Sequence, residues 1–90
     1  MSETPEIRRK RLLFHSWHRG TRETDLLLGS FAEKYLSQFS QEQLDRYESL
    51  LAESDADIFD WIARRSPPPA SARSDVLDML LDFRYAPRSA

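Results

Sequence analysis

Residues 21–36 read Thr-Arg-Glu-Thr-Asp-Leu-Leu-Leu-Gly-Ser-Phe-Ala-Glu-Lys-Tyr-Leu, and this stretch decides the fold class. Leu27, Leu28, Phe31, Ala32, Tyr35 and Leu36 recur at helical spacing and cover about half of a helix's circumference. This helix is the expected centre of the core. Thr21 stands before it as a plausible N-cap, and Glu23 falls in its first turn, where a carboxylate complements the helix dipole. The spacing predicts an end near Ser37.

Working outward, upstream residues Ile7, Leu13, Phe14 and Trp17 fall within an arc of about 120° at 100° per residue. They predict a first helix over 6–18, with the Lys10 stem lying along that apolar arc. Gly20 suits the positive φ that ends a helix. Downstream, Ser40 and Gln43 have the spacing of a capping box, with Phe39 and Leu44 as its hydrophobic staple. Leu44, Tyr47, Leu50 and Leu51 form the buried stripe of a third helix that stops near Glu53. Ser54 or Asp55 then caps a fourth, with Ile58, Trp61 and Ile62 on one face and Arg64 and Arg65 in its last turn.

Pro67-Pro68-Pro69 cannot be helical inside and makes 66–73 a stiff linker. Ser74 caps a last helix over 74–86, with Val76, Leu77, Leu80 and Leu81 on one side. Pro87 closes it, and 87–90 is expected to fray. No strand pattern or internal repeat is visible. The expectation is an all-α single domain, a small bundle of four or five short helices with its core over about 6–65. Leu27, Phe31, Tyr35, Leu44, Leu51 and Ile62 are expected to be buried.

Composition narrows the function. A chain of 90 residues and 10.6 kDa buries roughly 60–65% of its unfolded surface, so one core fits but a large internal cavity does not. There are no cysteines, which excludes disulfide scaffolds, thiol catalysis and thiolate metal sites. Two glycines exclude Gly-rich phosphate loops. No apolar run exceeds three residues, as at Leu26-Leu27-Leu28, so no membrane insertion is expected. The start Met-Ser-Glu-Thr-Pro-Glu has no apolar region and early acids, so neither a signal nor a transit peptide is expected.

The formal net charge of −2 hides an asymmetry. Residues 1–22 carry six bases and two acids, residues 23–63 two bases and ten acids, and residues 64–90 five bases and three acids. A basic start before an acidic middle implies internal charge pairing or a polarised docking surface. The acidic middle argues against nucleic-acid binding, which needs an unneutralised basic patch. The run Arg8-Arg9-Lys10-Arg11 is expected to be a solvated face of the first helix, with protein docking and phosphate contact as alternatives.

His15 and His18 are three apart and could face one metal, but two imidazoles with no carboxylate at matching spacing do not make a tight site. Surface histidines are the expected reading. No Ser/His/Asp grouping is visible, and Asp55, Asp57 and Asp60 fit capping and a solvated face better than acid–base catalysis. No enzyme activity and no metal are expected.

The junction Trp17-His18-Arg19-Gly20-Thr21-Arg22-Glu23-Thr24-Asp25 crowds four charged residues into one corner beside a glycine. A glycine C-cap, a threonine N-cap and an ion pair would explain much of it, but fewer charges would suffice for that, and corners on rigid scaffolds often carry function. Arg19-Gly20-Thr21-Arg22-Glu23 resembles the RGxxE signature of the succinate dehydrogenase flavinylation (FAD assembly) factors, small all-helical proteins, and Asp25 fits its usual extension. The preceding Arg-Lys-Arg-Leu-Leu-Phe-His-Ser-Trp-His is similar to that family's lead-in. Ser54-Asp55-Ala56-Asp57-Ile58-Phe59-Asp60-Trp61-Ile62 is similar to its second signature.

The resemblance implies an assembly factor that promotes covalent attachment of FAD to a histidine of the flavoprotein subunit of succinate dehydrogenase, and in bacteria also of fumarate reductase. FAD would be attached to the partner and not stably bound here, which fits the lack of a dinucleotide fingerprint. The implied partner-binding residues are Trp17, His18, Arg19, Gly20, Arg22, Glu23 and Asp25. Trp17, Phe59 and Trp61 are candidate aromatic anchors, with core packing the expected role for at least two. A bacterial cytoplasmic location goes with this expectation. A helical interaction adaptor and a nucleic-acid-binding module are the alternatives.

Overall fold

The computed structural model describes residues 3–83. Five α-helices follow one another: α1 (Pro5–Trp17), α2 (Arg22–Tyr35), α3 (Gln41–Leu51), α4 (Asp55–Ile62) and α5 (Asp75–Asp82). Short 3-10 turns lie at Leu36–Gln38 and Ala70–Ala72. The described residues contain no strand, and none of their helices is long and apolar enough to cross a membrane. This is the expected all-α architecture.

Every helix begins on a hydroxyl. Thr4, Thr21, Ser40, Ser54 and Ser74 each accept a hydrogen bond from the backbone N–H three residues on, satisfying one of the donors a helix start leaves free. The capping box is reciprocal: the Gln43 N–H donates to Ser40 Oγ at 3.2 Å and the Ser40 N–H to Gln43 Oε1 at 3.0 Å. The first helix starts one residue early because Pro5 suits the first helical position, where its missing N–H costs nothing.

Leu28, Phe31, Ala32 and Leu36 sit at the centre of the core as expected, with Leu44, Tyr47, Leu50 and Leu51 of α3 and Ile58 and Trp61 of α4 against them. Val76, Leu77 and Leu80 of α5 join the same core. Leu27, Tyr35 and Ile62 are only half-buried. Leu27 stands at the edge of the apolar arc of α2, and Tyr35 and Ile62 are the last residues of α2 and α4.

The face of α1 differs more. Ile7 and Phe14 are 56% and 59% exposed, while Leu12 and Ser16 are buried and Lys10 is exposed. The inward face is turned roughly a third of a turn from the apolar arc. Hydrogen bonding decides it. Ser16 Oγ lies 2.6 Å from the Tyr47 hydroxyl and donates to the Leu12 carbonyl at 2.8 Å. A polar residue the hydrophobic pattern discards is thus the one that fits the buried phenol. Burial pushes the Tyr47 hydroxyl well above its ordinary pKa, against the Ser16 hydrogen bond.

The three arginines of the basic run are a tether and not a solvated face, and Lys10 alone of the four is exposed. Arg8 reaches Asp45 at 2.6 Å and Glu48 at 2.9 Å. Arg11 bridges Glu3 and Glu48. Arg9 donates to the carbonyls of Leu36 and Phe39, both at 2.9 Å, just past the end of α2, where the Leu36 carbonyl also accepts the Phe39 N–H at 3.3 Å. Hydrogen bonds from Arg11 and then Arg8 hold the Glu48 carboxyl below its ordinary value. Of the two readings of the charge asymmetry, this stretch realises internal pairing.

Helix ends also shift. The α-helical part of α2 stops at Tyr35, α3 at Leu51 and α4 at Ile62. Arg64, expected in the last turn of α4, lies beyond it at φ +59°. The Arg65 N–H donates to the Asp60 carbonyl at 2.8 Å and the Arg64 N–H to the Trp61 carbonyl at 3.2 Å, so the chain leaves through a left-handed residue that closes the helix early. Within the linker the prolines give way to the 3-10 turn at Ala70–Ala72. The last helix stops at Asp82, short of the expected 86, because Phe83 turns to extended backbone at φ −68°, ψ 134°; Pro87 and the expected fray at 87–90 lie outside the described residues.

The candidate docking corner

The corner between α1 and α2 is built on backbone geometry that only glycine adopts freely. Gly20 has φ +128°, as its position between two helix patterns predicts. Asp25, one turn into α2, accepts the Arg19 N–H at 2.6 Å and the Gly20 N–H at 3.3 Å. The Thr21 hydroxyl accepts the Thr24 N–H at 3.3 Å and contacts the Thr24 hydroxyl closely. Asp25 and Thr21 together close the turn, so α2 starts at a defined angle to α1.

Arg19 then ties this corner to the one between α3 and α4. Its Nε donates to Asp55 Oδ1 at 2.7 Å, Nη2 to the Glu53 carbonyl at 2.7 Å, and Nη1 to the Leu51 carbonyl. Its side chain is 12% exposed. The two carbonyls lie at and just beyond the end of α3, where helices lack backbone donors. The two segments of family-like sequence, around Gly20 and around Asp55, are therefore one physical unit. Spacing along the chain could not reveal this, since the partners are 36 residues apart.

The remaining corner residues face outward. His18, Gly20, Arg22 and Glu23 are exposed, and no hydrogen bond or ion pair engages the Arg22 or Glu23 side chain among the described residues. Glu23 shares the rim of an open cleft of about 440 Å³ with Thr21, Asp55, Ala56 and Phe59. Arg65 lies over the Phe59 ring at 5.3 Å. The seven candidate residues thus divide. Arg19 and Asp25 make internal bonds, Trp17 packs internally while keeping an edge in solvent, and His18, Gly20, Arg22 and Glu23 line the surface.

Trp17 explains a residue the sequence reading passed over. Its indole lies on Gly29 of α2, so closely that an added Cβ there would overlap the ring. Its Nε1–H donates to Glu33 at 3.0 Å. A lone glycine inside a strongly helical, apolar segment was the available signal, since Gly costs a helix interior about 1 kcal/mol. Of the three candidate aromatic anchors, Trp61 is in the core at 6% exposure, while Trp17 and Phe59 are half-buried.

His15 and His18 do not converge with carboxylates. His18 donates from Nδ1 to the Phe14 carbonyl at 2.7 Å and stacks on the Phe14 ring at 4.0 Å. Among the described residues no group of three or more His, Cys, Asp or Glu side chains is placed to hold a metal.

Comparison with known proteins supplies the family. The family model for the flavinator of succinate dehydrogenase, Sdh5, matches residues 10–84. A protein named succinate dehydrogenase assembly factor 2, mitochondrial, from the yeast Scheffersomyces stipitis is 45% identical over 82 residues, covering 87% of this chain and 55% of that protein. The zebrafish protein of that name is 41% identical over 83 residues, covering 90% of this chain and 52% of its own length. The Saccharomyces cerevisiae protein is 43% identical over 86 residues, covering 91% and 53%. The chain spans about half the length of the curated relatives it matches. These relatives correct one expectation: they are named mitochondrial and come from yeasts and a fish, which overturns the bacterial cytoplasmic location. With the match running from α1 through α5, the chain belongs to the Sdh5 family, the flavinators of succinate dehydrogenase.

Proposed function

We propose that this chain is an assembly factor that docks on the flavoprotein subunit of succinate dehydrogenase and promotes covalent attachment of FAD to a histidine of that subunit. The observation that carries this reading is the family match over residues 10–84. The names of the relatives support the same partner.

The new bond forms on the partner, between a nitrogen of its own histidine and the ring methyl carbon of its own flavin; one N–H and one C–H are lost, and the two electrons and two protons pass to the flavin, which is left reduced. The factor contributes alignment, which lowers the barrier through proximity and orientation without a nucleophile of its own. It does so by binding the competent conformer of the flavoprotein better than the others. The exposed side of the corner suits this role. Glu23 offers an unpaired carboxylate to a basic group on the flavoprotein, Arg22 an unpaired guanidinium beside it, and Ala56 and Phe59 of α4 an apolar patch in the cleft that Glu23 rims. FAD stays with the partner. Gly20 and Gly29 form no dinucleotide loop with which this chain could hold it.

The alternative of nucleic-acid binding through the first helix loses its basis, because Arg8, Arg9 and Arg11 are engaged by acids and carbonyls of the chain itself. In-gel flavin fluorescence of the succinate dehydrogenase flavoprotein, prepared with and without this chain, tests the proposal. Fluorescence should rise when the chain is present. Equal fluorescence in both samples would overturn it. Fumarate reductase flavoprotein in the same assay tests whether that subunit is served as well.

A further inference from the structure

We infer that Arg19 is a positioning residue for the docking site, one that sets the distance and angle between the α1–α2 corner and the start of α4, and that its guanidinium makes no contact with the flavoprotein. What is docked rests on the function proposed above; the clamp itself is a property of the free chain.

The donor inventory carries the argument. A guanidinium has five N–H donors in a fixed planar fork. All three nitrogens of Arg19 are used inside the molecule, on Asp55, Leu51 and Glu53. The side chain is 12% exposed, and the carboxylate it pairs with is 23% exposed. Two N–H donors remain, one on each Nη, but little of the side chain is open to a partner, and turning it outward would break the bonds already made. Each acceptor has a reason to keep its donor, since the two carbonyls would otherwise be left unpaired where α3 ends and breaking a partly buried charge pair strands the other charge.

The same bonds fix what lies outside. Asp25 holds the Arg19 and Gly20 N–H groups, so the residue that anchors the guanidinium to α4 is also the first residue of the turn that leads to Thr21, Arg22 and Glu23. A Cβ on Gly20 would stand 3.7 Å from Asp55 Oδ2, so the turn lies directly on the start of α4. Thr21 and Glu23 come from one side of that seam and Ala56 and Phe59 from the other, and together they line one cleft. Lysine in place of Arg19 keeps the charge but, as a single ammonium, cannot span three acceptors in a plane. The two sides of the cleft would then shift relative to each other, and loss of alignment of about 1 Å is enough to cost on the order of tenfold to a hundredfold in a positioned reaction.

The experiment pairs nuclear magnetic resonance of the free chain with titration of the flavoprotein. Wild-type chain must first raise flavin incorporation; if it does not, the proposed function fails, whatever Arg19 does. Given that activity, the Arg19 Nε–H should exchange slowly in the free chain and keep its chemical shift in the complex, while the backbone amides of Arg22 and Glu23 move. Arg19→Lys should displace the amides of both 20–24 and 55–59 in the free chain and weaken partner binding by about tenfold or more. Asp55→Asn should reproduce the amide displacement, and the double variant should lose less than the two single losses multiplied, because both act on one clamp. The inference is overturned if the Arg19 Nε–H signal moves on complex formation, if Arg19→Lys loses affinity with its amides in place, or if Arg19→Lys binds as wild type does. Should Arg19→Ala unfold the chain, the lysine and asparagine variants still decide the matter.

Discussion

The two ends of α1 make a contrast. Both are rich in arginine, although the sequence reading expects a solvated face at the start and docking at the end. At the start, Arg8, Arg9 and Arg11 are all consumed by Glu3, Asp45, Glu48 and two backbone carbonyls. At the end, Arg19 is consumed in the same way, but Arg22 and Glu23 beside it are left facing solvent. In the proposed docking corner, what distinguishes Arg22 and Glu23 from these arginines is that no internal partner engages their charges among the described residues.

The largest expected effect tests the outward side of the corner. Glu23 lies in the first turn of α2, so its removal should cost the fold only about 0.3–1 kcal/mol through the helix dipole. A desolvated contact with a basic group of the flavoprotein is worth about 2–5 kcal/mol when one partner is truncated. Glu23→Ala should then lower flavin incorporation more than tenfold with a nearly unchanged unfolding midpoint, and Glu23→Gln should do the same if charge is what matters. Wild-type flavinylation by Glu23→Gln would rule charge out, and unfolding of Glu23→Ala would make the corner merely structural.

Next comes the packing behind the corner. Gly29→Ala gains helix propensity but pushes a Cβ into the Trp17 indole. Overpacking of this kind costs about 1–3 kcal/mol, so the thermal midpoint should fall even though alanine is the better helix former. A raised midpoint would mean that Trp17 swings away freely and that the contact is loose.

The opposite end of α1 should respond in stability alone. Arg9→Ala leaves the Phe39 carbonyl without its donor and the Leu36 carbonyl with only the Phe39 N–H, at a cost of about 1–3 kcal/mol. Flavin incorporation per folded molecule should not change. A loss of incorporation without a loss of stability would put a partner on this face and remove the contrast between the two ends.

The smallest effect is a pH dependence. The Glu48 carboxyl sits below its ordinary value of 4.5 because Arg11 and Arg8 hydrogen-bond to it. A depressed folded pKa contributes stability that is present above the unfolded value and lost as pH falls through the folded one. The side chain is 41% exposed, so solvent screening limits the contribution to about 1 kcal/mol or less. Denaturant titrations stepped downward from pH 6 should show part of the acid-induced loss disappear in Glu48→Gln. Identical acid limbs in the two proteins would show that the tether carries no net stability.

Local rules account for much of what was legible. Four of the five N-caps, the capping box, the buried stripe of α3 and the positive φ of Gly20 follow from hydroxyl spacing, 3.6-residue periodicity and the absence of a Cβ. Each depends on residues within a few positions of one another, and the chain carries that information in order. The all-α class follows in the same way, and the two family-like segments were visible as words in the sequence.

Where the side chains of α1 point belonged to the tertiary structure. Ile7 and Phe14 obey the apolar pattern yet lie in solvent, because Ser16 meets the Tyr47 hydroxyl 31 residues away and three arginines find acceptors on α3 and past the end of α2. The corner divides on the same principle. Nothing near Arg19 in sequence indicates that its acceptors lie at Leu51, Glu53 and Asp55, while Glu23, two residues past the cap, has none. A hydrophobic pattern reports only which residues avoid water. Which polar groups find one another across the chain is settled by packing, and here that separates the residues that hold the corner from those it presents.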